Sequence, residues 1–266
     1  MSKLKVCVAG ATGWAGGQVA KALFESTQFE LTSAIARKSA GKDLSEVLAG
    51  ARKGITITTT LDDALRTGFD ILIDYTKPDS VKDRAFQAIA AGKRVVIGTS
   101  GLTAEDFEEL NAVAKAQNVG VFAAGNFSIT AALAKHFAIL AAKHLPSWEI
   151  IDYAHADKVD APSGTTRELA ERLGEVRKSK LARELRETTG QLEARGATIG
   201  GTQVHSIRLP SYVIGFETIF GLPNERLTLR HDAGPGAEPY VAGTLLAAEK
   251  VMTFTGLVRG LDTLLF

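Results

Sequence analysis

The sequence predicts an α/β fold: a doubly wound parallel sheet, with an inserted α+β second domain that carries an open mixed sheet. Three observations predict it. Strand-like apolar runs alternate with helix-spaced segments through about residue 125, the pattern of parallel strands joined by crossover helices. A glycine-rich turn directly follows the first strand-like run, "LKVCVAG". Beyond residue 200 the pattern becomes alternating apolar positions between turn residues, which reads as adjacent β-strands.

Taken in order, "LKVCVAG" is a buried strand closed by glycine, and "GGQVAKALFES" follows with helical spacing. "FELTSAIA" is the next strand. "DILIDYT" and "RVVIGTS" are two more, separated by the helical stretch "PDSVKDRAFQAIAAG". "TAEDFEELNAVAKAQ" opens on Thr103 as an N-cap and continues as an amphipathic helix. "VGVFAAG" is a further strand. The texture then changes: "FSITAALAKHFAILAAKHL" is a long apolar helix, and "WEIIDYAHA" is a strand. Residues 166–188 are highly charged with helical spacing. "TQVHSIRLPSYVIGFETIFG" and "ERLTLRHD" read as strands, and "PYVAGTLLAAEKVM" returns to helix, packing back on the first domain.

Composition excludes several function classes. The 266 residues suit one large domain or two modest ones. A net charge of +1 argues against a nucleic-acid binder that relies on bulk electrostatics. Cys7 is the sole cysteine, so an intrachain disulfide and a cysteine-based zinc site are excluded, and its apolar strand makes it a structural thiol. The five histidines are dispersed, with His136 and His144 read as helix-surface or packing residues, and no metal site is expected. No apolar stretch approaches the roughly 18 residues that span a bilayer. "MSKLKVCVAG" enters the first strand without a signal-peptide pattern, so a cytoplasmic location is expected.

The turn "VAGATGWAGG" places Gly10, Ala11, Thr12, Gly13, Trp14, Ala15 and Gly16 between strand and helix. Glycines there permit the tight turn, let backbone approach a pyrophosphate, and let the helix pack closely, as in a Rossmann-type domain. The phosphates then lie at a helix N-terminus, where N–H groups and the dipole favour anions. The spacing is G-x-x-G-x-x-G, a weak signal alone and a much stronger one directly after a strand. An acid at the end of the second strand would grip the ribose hydroxyls of NAD. This chain has Arg37 and Lys38 there instead, two cations suited to a 2′-phosphate. NADPH is the expected cofactor, with NADH the alternative.

Midway along the chain, "HADKVDAPSGTT" gathers a histidine, a lysine and a Ser-Gly-Thr turn. "VDAPSGTTRELAERL" reads as a helix start, with Thr165 as N-cap and Glu168 at the capping-box position. Backbone N–H groups around Ser163, Gly164 and Thr165 are then expected to be free to hold a carboxylate. Lys158 and His155 lie just upstream. Together they form an anion trap for a small carboxylate, most naturally a dicarboxylate.

The same stretch resembles the signature of bacterial dihydrodipicolinate reductases, His-His-x-x-Lys-x-Asp-Ala-Pro-Ser-Gly-Thr. "VAGATGWAGG" is similar to that family's phosphate loop, "IDYTKP" to its Asp-Phe-Thr-x-Pro segment, and "VVIGTSGL" to its Val-Ile-Gly-Thr-Thr-Gly-Phe. "GNFSI" and "HSIR" complete a resemblance that runs from end to end. It implies reduction of the imine-forming intermediate of lysine and diaminopimelate synthesis with NADPH or NADH, by a homotetramer. It further implies that Lys158, His155, Ser163, Gly164 and Thr165 bind the substrate's carboxylates. Gly98, Thr99 and Ser100 would line the nicotinamide, with Asn126 and Phe127 nearby. The implied organisation is a dinucleotide-binding domain of residues 1–126 plus 240–266 and a substrate-binding and oligomerisation domain of residues 127–239.

The chain departs from the family's pattern. The first motif histidine, commonly the proton donor, is Ala154, and the loop arginine is Trp14. "LPSYVIGFET" replaces Gly-Gly-Asp-Ile-Val-Gly-Glu-His, and "GPGAEPY" stands where a Ser-Arg pair is expected after "HDA". His155 or Lys158 then becomes the candidate proton donor or catalytic group, since an imidazole titrates near neutrality and burial lowers a lysine's pKa. Three readings follow: the family's own reaction, a paralogue acting on another small carboxylated imine or carbonyl, and a non-catalytic sensor of dinucleotide and carboxylate. A semialdehyde dehydrogenase is set aside because Cys7 cannot serve as its mid-chain nucleophile. A short-chain dehydrogenase is set aside because Tyr153 to Lys158 is one residue too long for Tyr-x-x-x-Lys.

Overall fold

The structure is a computed structural model that describes residues 2–266. The chain divides into two compact units: one runs through Ile129 and resumes at Ala237–Phe266, and the other is Thr130–Gly236.

The first unit begins with β1 (Leu4–Ala9), α1 (Trp14–Glu25), β2 (Phe29–Ile35), α2 (Leu44–Val47), β3 (Ile57–Thr58) and α3 (Leu61–Thr67). It continues with β4 (Ile71–Asp74), α4 (Pro78–Ala90), β5 (Arg94–Ile97), α5 (Ala104–Ala116) and β6 (Gly120–Ala123). The second unit holds α6 (Ile129–Ala142) apart from its first residue, then β7 (Trp148–Ala154) and α7 (Gly164–Val176). It ends with β8 (Ala197–Ile199), β9 (Thr202–Arg208), β10 (Ile214–Leu222) and β11 (Glu225–Ala233). The chain returns to the first unit with α8 (Pro239–Lys250) and β12 (Gly256–Arg259).

In the first unit the strands form a seven-stranded sheet, β12-β6-β5-β4-β1-β2-β3, with every pairing parallel. Both faces must be covered, so the strands read as continuous apolar runs rather than as alternation. Cys7 and Ala9 of β1 join a core with Val81, Ala85 and Ile89 of α4 and Leu110 of α5. Val6 and Val8, equally buried, alternate with them, and α1 packs against β1 and against α8. Burial raises the Cys7 thiol far above its ordinary pKa, which keeps it protonated and inert. α5 starts at Thr103, whose hydroxyl accepts from Asp106 N–H while Asp106 accepts from the Thr103 N–H, a complete capping box.

The second unit is a five-stranded mixed sheet, β11-β10-β7-β9-β8. β7 runs parallel to β9 and antiparallel to β10. Trp148 and Ile150 of β7 and Phe216 and Phe220 of β10 pack against Ala138 of α6 and Leu169 and Leu173 of α7. Strand periodicity puts Asp152 on that same inward face, where it is fully buried.

Three stretches differ from the sequence expectation. Residues 44–67 hold α2, β3 and α3, which are too short for periodicity to show. The charged stretch 166–188 is helical only to Val176; Arg177 is extended, and beyond it only the short 3₁₀ turn Leu185–Glu187 forms. That turn buries no residue, so it has no apolar face to fold on. "GLVR" forms β12, which pairs with β6 and adds an outer strand to the sheet.

Candidate functional site

In the first unit the sheet order reverses at β1 and β4: the chain builds outward through β2 and β3 on one side, and through β5 and β6 on the other. Ligands of such sheets bind at the carboxyl ends of the strands at this switch point. The glycine turn follows β1 there, Arg37 and Lys38 follow β2, and Gly98, Thr99 and Ser100 follow β5.

Gly10 has φ +83°, and a Cβ there would overlap the Tyr75 carbonyl; a Cβ on Gly16 would overlap the Gly10 carbonyl. The turn is therefore packed bare backbone to bare backbone, closed by Gly13 N–H donating to Gly10 C=O at 2.8 Å. Gly13 is the N-cap of α1 and has no side-chain cap. The cradle and the uncapped helix start fit a pyrophosphate. Ala11 is buried, Ala15 half-buried and Thr12 exposed. Trp14 is 55% exposed and meets Tyr240 edge-on, with ring centroids 5.4 Å apart. Arg37 is held at 3.3 Å by Asp79, both well exposed; the Arg37 hydrogen bond helps hold the Asp79 carboxyl below its usual range, against a desolvation effect in the other direction.

Gly98 lies flush against the Tyr75 ring, where no Cβ fits. The Tyr75 hydroxyl reaches Thr244 Oγ1 on α8 at 2.6 Å, and burial pushes its pKa well up. Thr99 Oγ1 donates to Asp74 at 2.8 Å and accepts from Thr76 N–H at 2.7 Å. Asp74, 1% exposed, also binds Arg84 at 2.7 Å. This Asp74–Arg84–Thr76–Thr99 network, which the sequence reading missed, fixes the loops after β4 and β5 to each other. Ser100 is exposed. Asn126 Oδ1 accepts from Ser128 N–H at 2.8 Å. The Phe127 ring is buried against Tyr75 and Phe122, so it shapes the core beneath the site.

In the second unit, the anion-trap residues lie along the loop that leaves β7 at Ala154 and enters α7 at Gly164. His155 follows the last residue of β7, and Lys158 N–H donates to the His155 carbonyl at 3.1 Å. His155 Nδ1 lies 2.5 Å from Asp157 Oδ1, and that hydrogen bond holds the Asp157 carboxyl below its usual range. Lys158 Nζ is 2.6 Å from Asp160 Oδ1. Ala161-Pro162 is a cis peptide bond just before α7.

The helix start differs from expectation. Ser163, not Thr165, is the N-cap of α7: its Oγ accepts from Thr166 N–H. Glu168 makes no capping box and instead meets the fully buried Lys135 of α6 at 2.7 Å. Nor is the Ser163 N–H free, because it donates to Asp152 Oδ2 at 3.0 Å, while Ser163 Oγ donates to Oδ1 at 2.6 Å. Gly164 and Thr165 become the first residues of the helix. Asp152 decides this, eleven residues away, and local spacing carries no sign of it.

Both halves of the chain match family models: "Dihydrodipicolinate reductase, N-terminus" over residues 4–127 and "Dihydrodipicolinate reductase, C-terminus" over residues 127–265. The chain belongs to the dihydrodipicolinate reductase family. It is 39% identical over 267 aligned positions to 4-hydroxy-tetrahydrodipicolinate reductase of Desulfitobacterium hafniense, covering 100% of both chains. It is 37% identical to the enzyme of that name from Bacillus pumilus, with 98% of each chain covered. Among solved structures, a dipicolinate-bound dihydrodipicolinate reductase from Paenisporosarcina sp. TG-14 superposes with a TM-score of 0.78 at 30% identity, covering 98% of this chain and 99% of that one. As a dihydrodipicolinate reductase family member the protein is an oxidoreductase with a Rossmann-type sheet for a nicotinamide dinucleotide, and the reading as a binding-only sensor is set aside. Among the described residues no helix is long and apolar enough to cross a membrane, and no cluster of three or more His, Cys, Asp or Glu could hold a metal ion.

Proposed function

We propose that this protein reduces 4-hydroxy-tetrahydrodipicolinate, the imine-forming dicarboxylate of lysine and diaminopimelate synthesis, with NADPH preferred over NADH. One observation carries the reading: His155 and Lys158 lie on the one loop that runs from β7 into the N-terminus of α7, where Ser163 is tied to Asp152. That arrangement offers an anion a point charge, a titratable ring and helix-end N–H groups within a few residues.

The bound cofactor supplies a hydride. The remaining work falls to the chain. Lys158 clamps a substrate carboxylate, in exchange for its contact with Asp160, and Gly164 and Thr165 present backbone to it. His155, with Nδ1 on Asp157, has Nε2 available to pass a proton, directly or through water, to the nitrogen that gains charge. This arrangement replaces a histidine at the position of Ala154. The glycine turn cradles the pyrophosphate, with Gly98, Thr99, Ser100 and Asn126 around the nicotinamide. Arg37 and Lys38 favour the 2′-phosphate. A homotetramer and a cytoplasmic location go with the reading; the exposed Leu222 and Leu227 on the β10–β11 hairpin supply apolar surface for a second copy.

The test is NADPH oxidation by the purified protein, with dihydrodipicolinate synthase generating the substrate in the same cuvette. Rapid turnover is expected; Lys158→Ala should raise KM and His155→Ala should lower kcat. Tight NADPH binding without turnover would reject this substrate and favour another small carboxylated imine. Unchanged kinetics in Lys158→Ala would reject the clamp.

A further inference from the structure

Asp152 is a carboxylate with no exposed surface, yet it receives five donors: Ser163 N–H, Ser163 Oγ, Thr166 Oγ1, Ser206 Oγ and Arg208 Nη2, at 2.6–3.2 Å. They come from β9 and from both the cap and the first turn of α7. Burial works to raise its pKa, and the hydrogen bonds from Ser163, Arg208 and Thr166 outweigh that and lower it, so the group stays ionised. Arg208 also donates to the carbonyl of Asp160 at 2.7 Å. The loop 155–162 is thus fastened at three points: it leaves β7 two residues after Asp152, is held in the middle by Arg208, and ends on Ser163.

A buried charged network of this kind is costly to assemble, the more so because Arg208 Nε has no partner, and apolar packing would serve stability as well. Its geometry does something specific. It turns the Ser163 N–H and hydroxyl inward, so that the helix presents Gly164 and Thr165 as its leading residues. It also pairs the buried negative charge with Arg208, so the carboxylate beneath the turn does not repel an anion bound above it.

We propose that Asp152 is the positioning residue of the carboxylate-binding turn: with Arg208 it sets the register of the α7 N-terminus and the placing of Lys158 and His155 relative to it. The inference rests on the proposed function above. Asp152 touches no substrate itself, and its effect on binding passes through Ser163 and Arg208.

The experiment uses the full-length protein and two probes, dipicolinate and NADPH, titrated separately by calorimetry, with steady-state kinetics alongside. Asp152→Asn should weaken dipicolinate binding at least about tenfold, the scale on which sub-ångström misplacement acts. It should raise KM far more than it lowers kcat, and leave NADPH affinity within twofold. The loss of a negative charge alone would change dipicolinate affinity the other way. Thr166→Val removes one donor to Asp152 at constant shape and should weaken dipicolinate binding about threefold, while Thr166→Ser restores the hydroxyl and the affinity. That second pair decides the matter if Asp152→Asn does not fold. Wild-type dipicolinate affinity in Asp152→Asn or Thr166→Val, or loss of dipicolinate and NADPH binding in parallel, overturns the proposal. A wild-type protein that binds no dipicolinate and turns nothing over rejects the functional reading before any variant is made, and this inference with it.

Discussion

Breaking the Lys135–Glu168 pair should destabilise the second unit as much as a large-to-small truncation of its aliphatic core. Lys135 is 0% exposed on α6, and its Nζ lies 2.7 Å from Glu168 Oε1 on α7. At an effective dielectric of about 20, two unit charges at that separation attract by about 6 kcal/mol. Desolvation of the two ions costs several kcal/mol each, so the intact pair is worth little net. Lys135→Met removes the attraction and leaves the buried carboxylate without its cation, at a cost of about 3–5 kcal/mol. Adding Glu168→Gln neutralises the carboxylate that has lost Lys135 and should recover at least half of that loss. The assay is urea unfolding followed by Trp148, buried against Phe220 in the second unit, in a Trp14→Phe background that leaves it the only tryptophan. With m of roughly 1–3 kcal/mol/M the single variant's midpoint should fall by about 1–5 M. A loss below about 1 kcal/mol for Lys135→Met, or a double variant worse than the single, would refute the reasoning.

Three further outcomes are expected. Because the Asp152 pKa is lowered in the folded protein, its contribution to stability is present above the ordinary carboxylate range and is lost as pH falls through the lowered value; acid titrations of Trp148 fluorescence should show a flatter low-pH limb in Asp152→Asn. Gly10→Ala forces a Cβ into the Tyr75 carbonyl at positive φ, so it should cost upwards of about 1 kcal/mol of stability and abolish measurable NADPH binding, whereas Gly41→Ala, with open space around it, should retain binding; equilibrium dialysis reads both. Asp79→Ala releases Arg37 and should tighten NADPH binding a few-fold, the scale of an exposed ion pair, with NADH unaffected; equal effects on both cofactors would show that Arg37 does not read the 2′-phosphate.

The legible parts of this chain are those whose determinants lie close together in sequence. The Thr103 cap could be read because it stands directly before the helix it starts; its reciprocal partner Asp106 came only with the structure. The glycine turn was legible because its demands, bare backbone after a buried strand, are met within ten residues. The α7 cap was misread at the same length scale: Thr165 and Ser163 are both competent caps, and the choice falls to Asp152 on another strand. Lys135 shows the same thing more sharply. In sequence it interrupts an apolar helix, and only the fold brings Glu168 to it. Arg37 looked like a free cation until β4 and α4 brought Asp79 alongside. What the sequence conceals, then, is chiefly the identity of the partner, seldom the residue that needs one.

The position of β12 has a consequence for how the protein is made. Residues 256–259 pair with β6, more than a hundred residues upstream, and α8 packs with α1. While the ribosome synthesises the second unit, β6 waits as a bare parallel edge, and a sheet edge of that kind invites the wrong partner. The unit that emerges first is the one finished last. Truncation after Lys250 should therefore yield aggregates from a nascent chain whose inserted unit, Thr130–Gly236, is already complete.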